Sequence, residues 1–134
     1  MKILEIGKVD LASLCYLNKE RYPFLLESVN HNDNNRYSIL FAFPSESIVL
    51  NSLSDFDFLN ELESQYKSSN LNSNLPFSGG WFVYLSYELI GQIEPILSRE
   101  LHTSELPIAY AVKIPSAIII DYQSNTTYLI DQDS

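Results

Sequence analysis

The feature that most constrains this chain is the bunching of its β-prone runs. "RYSILFAFP" (residues 36–44) sets Tyr37, Ile39, Phe41 and Phe43 on one face of a strand and Leu40 and Ala42 on the other, so both faces need cover. "SIVL" follows within a few residues. A second bunch begins at "YAVKIPSAIIIDY" (110–122), two runs around Pro115, and ends with "QSNTTYLID" (123–131) beyond a Gln123-Ser124-Asn125 turn. Upstream, "FLLESV" (24–29) reads as a short strand leading into the polar turn "NHNDNN". Strands grouped in this way predict an α+β fold, with largely antiparallel sheets and two or three helices, rather than a doubly wound one.

The helices are fewer. Asp10 is placed to cap a helix that buries Leu11, Leu14, Cys15 and Leu17 and ends before Pro23. In "SLSDFDFLNELESQY", Ser54 and Asp57 form a capping box ahead of Phe56, Leu59, Leu62 and Tyr66 at helical spacing. "IGQIEPIL" predicts a brief helix broken at Pro95, and "KSSNLNSNLP" (67–76) a flexible polar loop open to proteolysis. "PFSGGWFVYLSYEL" (76–89) reads as a core strand entered through two glycines and covered on both sides, with Trp81, Val83, Leu85 and Tyr87 alternating with Phe82 and Tyr84. The 134 residues suffice for one domain, 1–134.

Several function classes fall away. A formal net charge of −9, with only eight scattered Lys and Arg, repels nucleic-acid backbones and anionic membrane surfaces. Gly79-Gly80 precedes a strand instead of opening a helix, so it is no dinucleotide fingerprint, and there is no Walker-type loop. Cys15 is the only cysteine, read as a small buried hydrophobe, and it rules out a Cys-based zinc site. His31 and His102 sit in polar loop surroundings without partners at metal-ligand spacing. Asp55, Asp57, Glu61 and Glu63 read as a solvated helix start. The N-terminus lacks signal-peptide features, and no apolar run approaches the ~20 residues of a spanning helix. The expectation is a soluble cytoplasmic protein.

Glu27 stands out as a carboxylate closing an apolar strand, with Ser28 after it. A strand-end residue in water is the simpler account of it. Arg36 lies nine positions later across the polar turn and would face Glu27 if the two strands form a hairpin. An acid, a hydroxyl and a guanidinium together suit the ammonium and carboxylate of a free amino acid. The residues point to a small-molecule pocket and to no catalytic machinery.

"FLLES", "RYS", "PFSGGWFVYLSYEL" and a strand pair ending "YLID", in that order, resemble the N-terminal region of the component I chorismate-utilising synthases, from about Tyr22 to Asp131. The family comprises anthranilate synthase and aminodeoxychorismate (para-aminobenzoate) synthase. The resemblance implies part of a larger α/β sandwich and a non-catalytic role, because the family's chorismate site and Mg²⁺-binding carboxylates lie in a C-terminal portion beyond these residues. It implies a glutamine amidotransferase partner for the whole enzyme and, for this region, scaffold and part of an L-tryptophan pocket. By position, Ser28 with Glu27 beside it would hold the amino acid, and Asn34, Asn35, Arg36 and Tyr37 would form the facing wall. The family often has Gly-Tyr-x-Gly-Tyr-Asp where this chain has "VYLSYEL", with Val83, Ser86 and Glu88 departing from it. That form looks closer to aminodeoxychorismate synthases, on the route to folate, than to anthranilate synthases. A freestanding amino-acid-binding or interaction module is the reading from a different class.

Overall fold

A computed structural model describes residues 1–30, 34–67, 73–98 and 105–132. His31, His102 and residues 68–72 of the expected polar loop lie outside the described residues. The fold is α+β, with eight strands in two antiparallel sheets and three α-helices among the described residues. Length predicts one core, yet the residues gather into two compact units.

The larger unit takes its residues from Met1–Ser45, Leu71–Gly80 and Lys113–Ser134. Its strands are β1 (Lys2–Ile6), β2 (Phe24–Leu26), β3 (Tyr37–Ala42), β7 (Ser116–Asp121) and β8 (Thr126–Asp131), in the order β1-β8-β7-β3-β2. Every neighbouring pair is antiparallel. Strand alternation sorts the side chains onto two faces. Leu40 and Ile118 pack with Leu11 of helix α1 (Leu11–Leu17), joined by Leu25, Ile120 and Leu129. Ala117, Ile119 and Ile130 form a cluster with Tyr37, Ile39 and Phe77. The Asp10 cap forms as its chemistry requires: the carboxylate accepts from Ser13 N at 3.1 Å and from Ser13 Oγ at 2.7 Å. Cys15 is half-buried and donates to the Tyr22 carbonyl at 3.3 Å. Strand β1 has no counterpart in the expectations from sequence.

The smaller unit takes Glu46–Asn70 and Trp81–Val112. Its sheet runs β4 (Ser47–Leu50), β6 (Ala109–Ile114), β5 (Gly80–Leu85). Helix α2 (Phe58–Gln65) covers it through Phe58, which packs with Ile48, Leu50, Leu89, Ile108, Ala109 and Ala111. The helix starts later than the Ser54 box predicts: Asp57 is the cap, accepting from Asn60 N at 3.0 Å. The expected stripe shifts with it. Phe58 is buried, while Phe56, Leu59 and Tyr66 stay exposed. Helix α3 (Ile90–Ile93) and a 3₁₀ turn at Pro95–Leu97 match the predicted break.

The expectation for residues 80–85 is corrected. Strand β5 ends its sheet, and Val83 and Leu85 are exposed, so two layers do not cover it here. Alternation alone cannot separate a central strand from an edge strand whose apolar residues await a neighbour. The glycines before it do have a steric reason. Gly79 sits at φ 98°, and a Cβ there would meet the Gln132 side chain, 2.7 Å from its amide carbon. Gly79→Ala is expected to destabilise the chain by about 1–2 kcal/mol, measured by urea denaturation. Wild-type stability in that variant would show that the positive φ is not required.

Candidate functional site

The hairpin predicted around Glu27 and Arg36 exists: β2 pairs β3 with Leu26 opposite Ile39. Continuing that register sets Glu27 opposite Ser38 and Ser28 opposite Tyr37. Adjacent residues then face opposite sides of the sheet, so Glu27 and Ser28 do not share a wall. Ser28 turns inward on its own hairpin. Its Oγ donates to the Tyr37 carbonyl at 2.6 Å, and its N–H donates to Ser38 Oγ at 3.0 Å.

Arg36 is committed elsewhere. Its Nε and a terminal nitrogen donate to the two oxygens of Asp121 at 2.8 and 2.6 Å, a fork-to-fork pair at the end of β7. The guanidinium carbon also lies 4.8 Å from the centre of the Tyr37 ring. The expected Glu27–Arg36 pairing is therefore not made. Asp121 is almost fully buried and accepts in addition from Gln123 N at 3.0 Å and Ser124 N at 3.4 Å. The Arg36 hydrogen bonds hold its carboxyl well below the usual carboxylate range, against the opposing effect of burial. Asn34 and Asn35 are exposed at the bend before β3.

Of the six residues singled out from sequence, Glu27 lines a cavity. The cavity, about 150 Å³, lies on the α1 face of the larger unit, bounded by Val9, Asp10, Glu27, Ser38, Ile120 and Tyr122 among others. Ser38 is buried, and its hydroxyl lies 3.0 Å from the Tyr122 hydroxyl. Two carboxylates and a hydroxyl pair around a small space favour a cationic or hydrogen-bond-donating group. Ser38, Tyr122 and Asp121 escaped the sequence reading. Their signal was the pairing of "RYS" with "DY": Tyr37 stands opposite Asp121, and Tyr122 N donates to the Arg36 carbonyl. Eighty-five positions separate Arg36 from Asp121, and nothing local announces the pairing.

Ser86, at one of the positions where the family pattern has glycine, carries a buried hydroxyl with no hydrogen-bond partner among the described residues. No group of three or more His, Cys, Asp and Glu able to hold a metal occurs among the described residues. No helix there is long and apolar enough to cross a membrane.

Comparison with known proteins converges on one type. No family model matches the chain. It is 29% identical over 112 residues to an anthranilate synthase component I-like protein of Synechocystis sp., covering 79% of this chain and 23% of that one. It is 26% identical over 148 aligned positions to anthranilate synthase component 1 of Lactococcus lactis, covering 99% of this chain and 32% of that one. Anthranilate synthase component 1 of Bacillus pumilus is 29% identical over 110 residues, with 81% and 20% covered. The chain thus spans a third or less of these relatives. The crystal structure of anthranilate synthase component I from Streptococcus pneumoniae superposes with a TM-score of 0.62 at 24% identity, over 94% of this chain and 31% of that one, which shows the fold.

Proposed function

We propose that the chain is the N-terminal portion of a component I chorismate-utilising synthase, a scaffold domain that carries no catalytic groups of its own. Within that class the reading is anthranilate synthase. The observation that carries it is the match of 99% of this chain to a third of the Lactococcus lactis anthranilate synthase component 1. The aminodeoxychorismate branch, favoured by Val83, Ser86 and Glu88 in "VYLSYEL", finds no such support, because the three curated relatives all bear the anthranilate name. The whole enzyme would aminate chorismate in the cytoplasm with ammonia from a glutamine amidotransferase subunit. No group of three or more His, Cys, Asp and Glu that could hold the Mg²⁺ of such an enzyme occurs among the described residues, and on this reading its ligands would come from the catalytic portion.

The cavity at Glu27, Ser38 and Tyr122 is assigned to the amino-acid pocket, with Glu27 as counter-charge for the ammonium group. Ser28, Asn34, Asn35, Arg36 and Tyr37 then shape the hairpin behind it. At about 150 Å³ the cavity is below the ~300 Å³ at which ligand pockets begin. The isolated chain is expected to bind L-tryptophan weakly or not at all by calorimetry, and micromolar affinity would overturn that expectation. The function itself is tested by the intact mass of the native polypeptide and its product with chorismate and ammonia. A polypeptide several times larger than 15.3 kDa that forms anthranilate supports the reading. Aminodeoxychorismate as product moves it to the other branch, and a native mass of 15.3 kDa overturns it.

A further inference from the structure

The cavity on the α1 face owes its polar lining to three strands brought level by their ladders. Ser38 of β3 stands opposite Ile120 of β7, and the continued β2 register sets Glu27 opposite Ser38. Tyr122 lies two positions beyond Ile120, so it returns to the same face and meets Ser38 on the diagonal. Together they line one surface, in which an apolar Ile120 sits among a carboxylate and two hydroxyls.

These polar groups are arranged to accept. The Glu27 carboxylate accepts only, and each hydroxyl oxygen has two lone pairs. Ser38 Oγ accepts from Ser28 N at 3.0 Å and lies 3.0 Å from the Tyr122 hydroxyl. Whichever hydroxyl of that pair donates, the Tyr122 oxygen keeps at least one lone pair outside the bond. Asp10 also borders the space, but its carboxylate already accepts from Ser13 N and Ser13 Oγ at the head of α1. An ammonium group, with three donors and one positive charge, matches a carboxylate flanked by hydroxyl oxygens. A carboxylate guest would meet Glu27 as a like charge.

The position of Tyr122 is set by its neighbours. Its N–H donates to the Arg36 carbonyl at 2.9 Å, while the Arg36 side chain forks onto Asp121, the preceding residue, at 2.8 and 2.6 Å. Arg36 thus grips both residues at the end of β7, one through its backbone and the other through its guanidinium.

We propose that Tyr122 is the specificity-determining residue of the amino-acid pocket, accepting from the ligand's ammonium group beside Glu27, and that the Arg36–Asp121 pair is its positioning clamp. The proposal rests on reading the cavity as that pocket. It gives Arg36 a task other than the wall contact that the resemblance implies, since the guanidinium acts through Asp121 and Tyr122.

The test titrates three probes into the purified native polypeptide by calorimetry. They are L-tryptophan, tryptamine, which keeps the ammonium group, and indole-3-propionate, which lacks it. Wild type is expected to bind the first two more tightly than the third. Tyr122→Phe removes only the hydroxyl and should weaken both ammonium-bearing probes about tenfold, with indole-3-propionate unchanged. Asp121→Asn holds Arg36 by a weaker, uncharged bond and should weaken the same two probes by a smaller factor. Glu27 is exposed, so Glu27→Gln spares the fold, and it should abolish the preference for tryptamine over indole-3-propionate. A merely structural lesion weakens all three probes alike. That result, or unchanged affinities in Tyr122→Phe, overturns the proposal and leaves the pocket reading standing. Equal wild-type affinities for tryptamine and indole-3-propionate overturn the recognition of ammonium. If wild type binds none of the three, the pocket reading falls and the proposal with it.

Discussion

Asp121→Ala is expected to destabilise the chain by about 2–3 kcal/mol and to lower its melting temperature by about 10 °C. The carboxylate is 3% exposed and takes four hydrogen bonds, two from Arg36 and one each from Gln123 N and Ser124 N. Its removal breaks the tie between β3 and β7 and strips the acceptor from the turn into β8. Breaking a wholly buried ion pair costs more than this, but the Arg36 side chain is 39% exposed and regains water once released. Urea denaturation of wild type and variant measures the difference. A loss below about 0.5 kcal/mol would place the pair among ordinary surface salt bridges.

The same pair sets an acid limit. An unfolded aspartate titrates near 3.9, and the Arg36 bonds hold folded Asp121 well below that. The unfolded chain therefore binds the proton first as pH falls. The stabilisation is complete above about pH 4 and declines as pH drops from there toward the folded value. Asp121→Asn should be less stable at pH 7 and lose less on acidification below pH 4.

How much of this was legible in sequence follows the range of the interaction involved. The Asp10 cap, the break at Pro95, the two runs about Pro115 and the Asn125 turn were readable, because each depends on residues within a few positions. Asn125 takes φ 54°, which asparagine tolerates. The hairpin of β2 with β3 was readable for the same reason. Which residue faces which was not. The Glu27–Arg36 pairing assumed that proximity across a turn settles the partner, whereas strand order brings Asp121 to Arg36 from 85 residues away. Alternation then sends Ser28 away from the cavity that Glu27 lines, a consequence of register rather than composition. Strand β1 was missed because "KILEI" is short and largely exposed, and only its ladder with β8 defines it.

The stretch "SDFDFLNEL" carries the sharpest prediction about packing. Two phenylalanines stand two apart, and helical spacing from the Ser54 box selects Phe56. The structure selects Phe58, fully buried among Ile48, Leu50, Leu89 and Ala109, while Phe56 is 36% exposed. The reason is the cap. With Asp57 holding the first turn, Phe58 is the first helical residue, and its N–H donates to Gln92 Oε1 at 3.1 Å. Gln92 returns its amide to the Leu53 carbonyl at 2.9 Å and the Phe56 carbonyl at 2.5 Å, which fixes the approach of the chain. Phe58→Ala is expected to cost about 3–5 kcal/mol, the loss for emptying a buried aromatic site. Phe56→Ala should cost less, about 1–2 kcal/mol, since 36% of its surface still meets water and no closed cavity is left behind. Hydrogen exchange in the Phe58 variant should show the loss first in β4, β6 and α2, whose residues line the vacated space. Equal effects of the two substitutions, or a larger one at Phe56, would return the helix start to Ser54 and the packing of this unit with it.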